Sequence, residues 1–367
     1  MAANNSSFFD ERIFHIYEKV SISSAIFLSF VALGTIITNG VALIAIFKDP
    51  LKCFRNPMAT FITGILVSDF LTGMIVEPVI VTTYVMWMNT ELNLEDYEKI
   101  IRSCQILSAV TVNTSFLTVL GLAVSQLLAL RWPSVYNRYV TSPLAIFGIV
   151  CIWLYAIIFA LLPEIANMSI EIYFLVDLIL HTTLISFALV IIYIIIFLSF
   201  KRAMRRHGIA AEAQEEDENR QDIPKQKVEK EFIVGTFIVI LVLIVTVWPF
   251  TITFYILIVQ VLQTSFTEST WILYVVFVLF NDILYLKFLL DPLIFVWRLS
   301  KYREAINLVF APVKGKLCCW CARGRLPSAA YHRQEGEGSA EDPLVPEWST
   351  DISGAFTKEV EDEPVEA

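Results

Sequence analysis

Charge is what this chain has least of. Asp, Glu, Lys and Arg make up 17% of its 367 residues, against 56% hydrophobic residues, whereas a soluble domain carries roughly a quarter charged residues. That shortage excludes an ordinary soluble fold of this size. Histidine is scarce too, with four in the chain, and the six cysteines (Cys53, Cys104, Cys151, Cys318, Cys319 and Cys321) show no metal-ligand spacing with them. No nucleophile–base pair or metal cluster is visible, so an enzyme is not predicted and no cofactor is implied. No basic stripe points to nucleic acid. No internal repeat marks a transporter, the competing reading from another class. A cleavable signal peptide is not predicted, because Met1–Val20 is polar and the first apolar run is too long for a signal core.

What the chain has is apolar runs longer than the ~20 residues that cross a bilayer. Seven stand out, at residues 22–47, 57–86, 101–130, 143–162, 170–200, 231–262 and 271–297. Backbone polar groups in lipid must be satisfied within the segment, and these runs are too long for barrel strands, so they predict helices. The predicted fold is all-α: a seven-transmembrane helix bundle with a short amphipathic helix after it. Residues 1–21 form an extracellular segment and residues 22–312 the membrane domain. Residues 313–367 form an acidic cytoplasmic tail, too poor in apolar residues to fold alone.

Orientation follows from basic residues. Lys48, Lys52, Arg55, Arg131, Arg138, Lys201, Arg202, Arg205 and Arg206 follow helices one, three and five, and Arg298, Lys301, Arg303, Lys314 and Lys316 follow helix seven. The other side carries Arg12, Lys19, Lys99 and Arg102. This predicts a multi-pass plasma-membrane protein with its N-terminus outside. Asn5 and Asn167, each in an Asn-X-Ser context, then face outward as glycosylation sites. A third match, at Asn113, falls inside helix three and is read as meaningless. The stretch 299–310 has apolar residues near helical spacing with charges between them, as in a helix lying on the inner leaflet. Cys318, Cys319 and Cys321 beyond it read as palmitoylation sites.

Polar residues inside the helices are expensive and so point to function. In order they are Asn39 in Thr38-Asn39-Gly40-Val41, Asp69 in Leu66-Val67-Ser68-Asp69, Cys104 opening helix three, and Trp153 in helix four. Tyr193 follows in helix five, then Trp248-Pro249-Phe250 in helix six and Asp291-Pro292-Leu293-Ile294-Phe295 ending helix seven, with Tyr302-Arg303 after it. This ordered set resembles the rhodopsin-like (class A) G-protein-coupled receptors over roughly residues 25–310. The resemblance implies a receptor for an extracellular ligand, with a heterotrimeric G protein and arrestin as partners, held among membrane lipids. It implies that Pro249 kinks helix six so that its inner half swings outward, with Trp248 beside it as the switch aromatic.

Four features depart from the family. An Asp-Arg-Tyr-like triplet is missing from the base of helix three: Ser125-Gln126-Leu127 stands there, and the stretch from Ser125 to Pro133 reads as about two residues short. The chain is then either coupling-impaired, a decoy receptor, or carries a small deletion. The second outer loop has no cysteine for Cys104, so the usual disulfide is not predicted. Trp248 adjoins Pro249, where the family has one residue between them. Helix five has Ile185 where a proline is usual. The short second loop, the missing proline and the Asp-Pro-Leu-Ile ending look somewhat like melanocortin receptors and their lipid- and adenosine-binding relatives.

The first twenty or so residues are too few for a hormone-binding domain. The ligand, a small molecule, lipid or short peptide of unknown class, therefore enters the bundle. Glu77, Thr111, Asp177, His181, Phe250, Phe254 and Asn281 are the candidate contacts; Asp177 and His181, four apart, share a helical face. Thr111 stands where amine receptors of the family carry an Asp, which disfavours an amine bound in the usual way. Lys287 lies four before Asp291, whereas a retinal-binding lysine lies six before, so an opsin is disfavoured. In the family, an acid on helix two, a small hydroxyl on helix three and polar groups on helix seven hold sodium. Asp69, Thr118 and Asp291 match that pattern, and Lys287 is expected to replace the ion by bridging the two acids. Asn39 and Pro292 complete the activation set.

Overall fold

A computed structural model describes residues 2–52, 54–87, 94–212, 235, 238–263, 268–297 and 302–311. Seven helices are long and apolar enough to cross a membrane. Numbered in chain order, they span His15–Lys48, Pro57–Met86, Arg102–Arg131, Ser142–Ala160, Ile170–Arg202, Ile238–Leu262 and Thr270–Val296. Helix one runs back without a break to Ala2, helix three begins earlier at Leu94, and helix five continues to Glu212. Among the described residues there is no strand.

Local chemistry sets the starts. Asn56 caps helix two by accepting the Ala59 N–H at 2.8 Å, and Pro57 fills the first position, where its missing N–H costs nothing. Thr141 caps helix four by accepting the Leu144 N–H, and Pro143 stands second in it. Between helices one and two, the Asp49 carboxylate accepts the Phe54 N–H at 3.3 Å and pairs with Arg55.

Helix three is the axis of the bundle. It packs against helices two, four and five, while helix one packs on two and seven, and six on seven. Its apolar stretch is 56% buried, against 22% for helix four at the rim. Outward-facing residues such as Phe30, Phe47 and Ile158 are large, apolar and exposed, as a lipid-facing surface requires. Gly73 lets helix two approach helix one, since a Cβ there would sit 2.8 Å from the Thr35 methyl.

Four helices contain a wider, five-residue π turn. Those at Thr72–Val76 and Leu243–Val247 lie just before Pro78 and Pro249, and Leu293–Trp297 follows Pro292. A proline removes one backbone donor, and the widened turn absorbs the break. The fourth, Leu178–Leu184 in helix five, has no proline and is centred on His181. After helix seven, a helix over 302–311 buries Tyr302, Ala305 and Ile306 on one face, and the Tyr302 ring packs tilted against Phe54 at 4.4 Å. This is the amphipathic helix expected from the sequence.

Candidate functional site

The densest polar cluster lies at the centre, between helices two, three and seven. The Lys287 ammonium donates to Asp291 at 2.7 Å and to the Ser115 hydroxyl at 2.9 Å. Ser115 in turn donates to Asp69 at 2.6 Å. All four side chains are buried, and the rings of Phe116 and Phe288 flank the ammonium at 4.9 and 4.6 Å. An ammonium in hydrocarbon survives only with such partners.

Two details differ from the sequence reading. The hydroxyl that reaches Asp69 belongs to Ser115, one turn before Thr118, whose own hydroxyl donates to the Thr114 carbonyl at 2.7 Å. Lys287 therefore meets Asp291 directly but Asp69 through Ser115. Ser115, three before Thr118, shares its helical face, so the sequence made the two equal candidates.

Asn39 couples this centre to helix one. Its side-chain amide donates to the Phe288 carbonyl at 3.0 Å and to the Thr35 carbonyl at 2.9 Å. Phe288 lies four before Pro292, so its carbonyl is the one that the proline cannot satisfy. Asn39 supplies the missing donor from a neighbouring helix.

Towards the end of the bundle that carries the N-terminus, the candidate ligand contacts separate into three groups. Asp177 and His181 join at 2.8 Å, Asn113 donates to Asp177 at 2.8 Å, and Tyr155 meets the other His181 ring nitrogen at 2.9 Å. His181 is buried against Phe159. Asn113, buried within helix three, is part of a network joining helices three, four and five. Phe250 and Phe254 form an aromatic block with Phe277 and Phe174, with centroids 5.0–5.7 Å apart. Glu77 faces helix one, accepting from Thr35 at 3.4 Å, and Asn281 hydrogen-bonds Tyr84. Thr111 donates to its own helix, at the Leu107 carbonyl. The reading missed Asp282, buried beside Asn281 and approached by the Tyr84 hydroxyl at 3.4 Å.

In helix six, Trp248 is half-buried and leans on Phe187 of helix five at 5.2 Å. Val247, two before Pro249, is the fully buried residue there. One residue on a helix is 100° of rotation, so the tryptophan next to the proline cannot face where its neighbour does.

At the base of helix three, Thr118, Leu122, Ser125 and Ala129 form one unbroken buried stripe. The helix runs uninterrupted to Arg131, and Pro133 opens a short helix to Tyr139. Ser125 lies within that stripe, and Gln126 and Leu127, which follow it, are half-buried. Tyr136, buried beside Ser125, has its hydroxyl pKa raised by that burial and stays protonated.

Cys104 is buried and free. The top of helix three is instead tied to the connection between helices four and five by an exposed ion pair between Arg102 and Glu164. Asn167 is exposed in a left-handed conformation ending the short helix Leu162–Ala166. Asn5 lies on the N-terminal extension of helix one, and its side chain is outside the described residues, as are Cys318, Cys319 and Cys321.

A comparison with curated protein sequences gave no match. The model of the family described as 7 transmembrane receptor (rhodopsin family) matches residues 38–295, well over half of the chain. That range runs from the residue before Asn39 to the Phe295 that closes the Asp-Pro-Leu-Ile-Phe motif, and so contains the whole polar centre. This multi-pass membrane protein belongs to the rhodopsin family of seven-transmembrane receptors.

Proposed function

We propose that the chain senses an extracellular small molecule, lipid or short peptide within the bundle, at the end carrying its N-terminus. It signals by outward movement of helix six towards a heterotrimeric G protein, with arrestin as a second partner. The observation that supports this best is the break in helix six, where the π turn Leu243–Val247 abuts Pro249 beneath the Phe250–Phe254–Phe277 block. A loosened backbone under an aromatic block is a suitable place for ligand contact to alter helix geometry. The N-terminus lies outside and the tail inside the plasma membrane, with Asn5 and Asn167 glycosylated. The tail is anchored by palmitate on Cys318, Cys319 and Cys321, so Cys→Ser replacement at all three should abolish palmitate labelling.

Resting coupling is weak, because Ser125-Gln126 lacks the acid and arginine that engage the G protein in the family. The test is nucleotide exchange by purified G proteins with the reconstituted receptor. Substituting in place, Ser125→Asp with Gln126→Arg and Leu127→Tyr, should raise exchange severalfold, and Tyr136 offers the new Asp a donor. Equal exchange by both forms would show the departure to be harmless. If neither form catalyses exchange on any G protein class, the reading becomes that of a decoy receptor.

The central cluster holds its own cation. Lys287 takes the place of sodium between the acids of helices two and seven, and a proton on one acid cancels the remaining negative charge.

A further inference from the structure

Helix five has no proline between Ile170 and Glu212, yet its backbone widens into a π turn over Leu178–Leu184. Such a turn holds one residue more than regular helix and weakens the local hydrogen bonding, so something must hold it. Side chains do so here. Within the turn, the Ser186 hydroxyl donates to the Thr183 carbonyl at 3.0 Å. From one side, Tyr155 of helix four meets Nε2 of the buried His181 at 2.9 Å. Nδ1 of the same ring meets Asp177, which Asn113 of helix three also holds. From the other side, the hydroxyls of Thr183 and of Tyr255 in helix six meet at 2.9 Å. Four residues further in, Phe187 packs on Trp248 at 5.2 Å. Trp248 directly follows the π turn of helix six, Leu243–Val247, and its buried indole N–H has no partner among the described residues.

We propose that the π turn of helix five is a joint through which Tyr155, on helix four, positions helix six. Three observations support it. His181 and Thr183 stand two apart, so they face nearly opposite sides of helix five, one towards helix four and the other towards helix six. Closing the turn to regular α geometry would rotate Phe187 by about 100° relative to Asp177. The bonds to helices three and four and the contacts with helix six therefore hold together only while the π turn persists. Helix six also approaches helix five along Ile170–Asp177 and the π turn itself, so the register of the turn bears directly on it. Tyr155, Thr183 and Tyr255 are positioning residues in this account. The use of the joint in signalling rests on the reading that helix six moves; the mechanical link between the helices does not.

The experiment is hydrogen–deuterium exchange of the purified full-length receptor, read by mass spectrometry over Leu178–Leu184 and Leu243–Val247 without ligand or G protein. Tyr155→Phe removes one hydroxyl and keeps the ring. Tyr84→Phe, which removes the hydroxyl that approaches Asp282 from helix two, is the control for general loosening. If the two π turns open together, the loss of one hydrogen bond should speed exchange in both by a similar factor, about tenfold. Tyr255→Phe should act on both segments in the same way. His181→Gln and Thr183→Val break the same two bonds and take the place of a tyrosine variant that does not fold. Tyr84→Phe should leave both segments at the parental rate. Exchange in helix six that stays at the parental rate in Tyr155→Phe, or equal loosening by Tyr84→Phe, would overturn the proposal. Neither readout involves a G protein, so the link between helices four and six is decided separately from whether helix six movement signals.

Discussion

Two acidic regions of the same bundle are treated in opposite ways. At the centre, Asp69 and Asp291 are answered from within the chain by Lys287 and Ser115, through contacts of 2.6–2.9 Å. Nearer the end that carries the N-terminus, Glu77 and Asp282 meet only hydroxyls among the described residues, at 3.4 Å for those from Thr35 and Tyr84. Burial is equal, so burial does not separate them. What separates them is whether the fold supplies the cation. A charge that the fold neutralises holds helices together, whereas one left unanswered is available to something outside the chain.

The contrast should appear as opposite signs of stability change. The largest effect is expected from Lys287→Met, which leaves two buried acids without their ammonium and should cost about 3–5 kcal/mol. It would be read as a large fall in Tm. Adding Asp291→Asn should recover much of that loss, and a Lys287→Met receptor as stable as the parent would break the comparison. Asn39→Ala comes next. It leaves the Phe288 carbonyl, already deprived of a donor by Pro292, unsatisfied at a cost of about 1–3 kcal/mol. An unchanged Tm would mean that water takes over the role of the amide. The smallest effect, and one of opposite sign, is expected from Glu77→Gln without added ligand. Replacing a poorly bonded buried acid by a neutral amide should leave stability unchanged or raise it by on the order of 1 kcal/mol. A marked fall would place Glu77 with the structural acids.

The seven helices and the amphipathic helix were legible because length and apolarity alone decide them in lipid. The individual polar positions were legible as a set, since Asn39, Asp69, Pro249 and Asp291-Pro292 each stand in a local motif. Pairing across helices was not. Nothing in the linear order distinguishes Ser115 from Thr118 as the partner of Asp69, because both lie on one face and the choice depends on the depth at which helix two crosses. Asp282 was passed over beside Asn281 for the same reason. The single-residue offset of Trp248 from Pro249 turns it 100° away from Val247, which takes the most buried position there, a consequence the residue type alone does not show.

The claim that the receptor supplies its own central cation is tested most directly by the unfolding temperature of the purified protein in sodium chloride and in potassium chloride at equal ionic strength. The unmutated receptor should show the same Tm in both salts. Lys287→Asn, which vacates the ammonium but keeps a polar group, should be less stable in potassium and regain stability specifically in sodium. A sodium-specific rise in Tm of the unmutated receptor, or a Lys287→Asn variant indifferent to the choice of cation, would contradict the account.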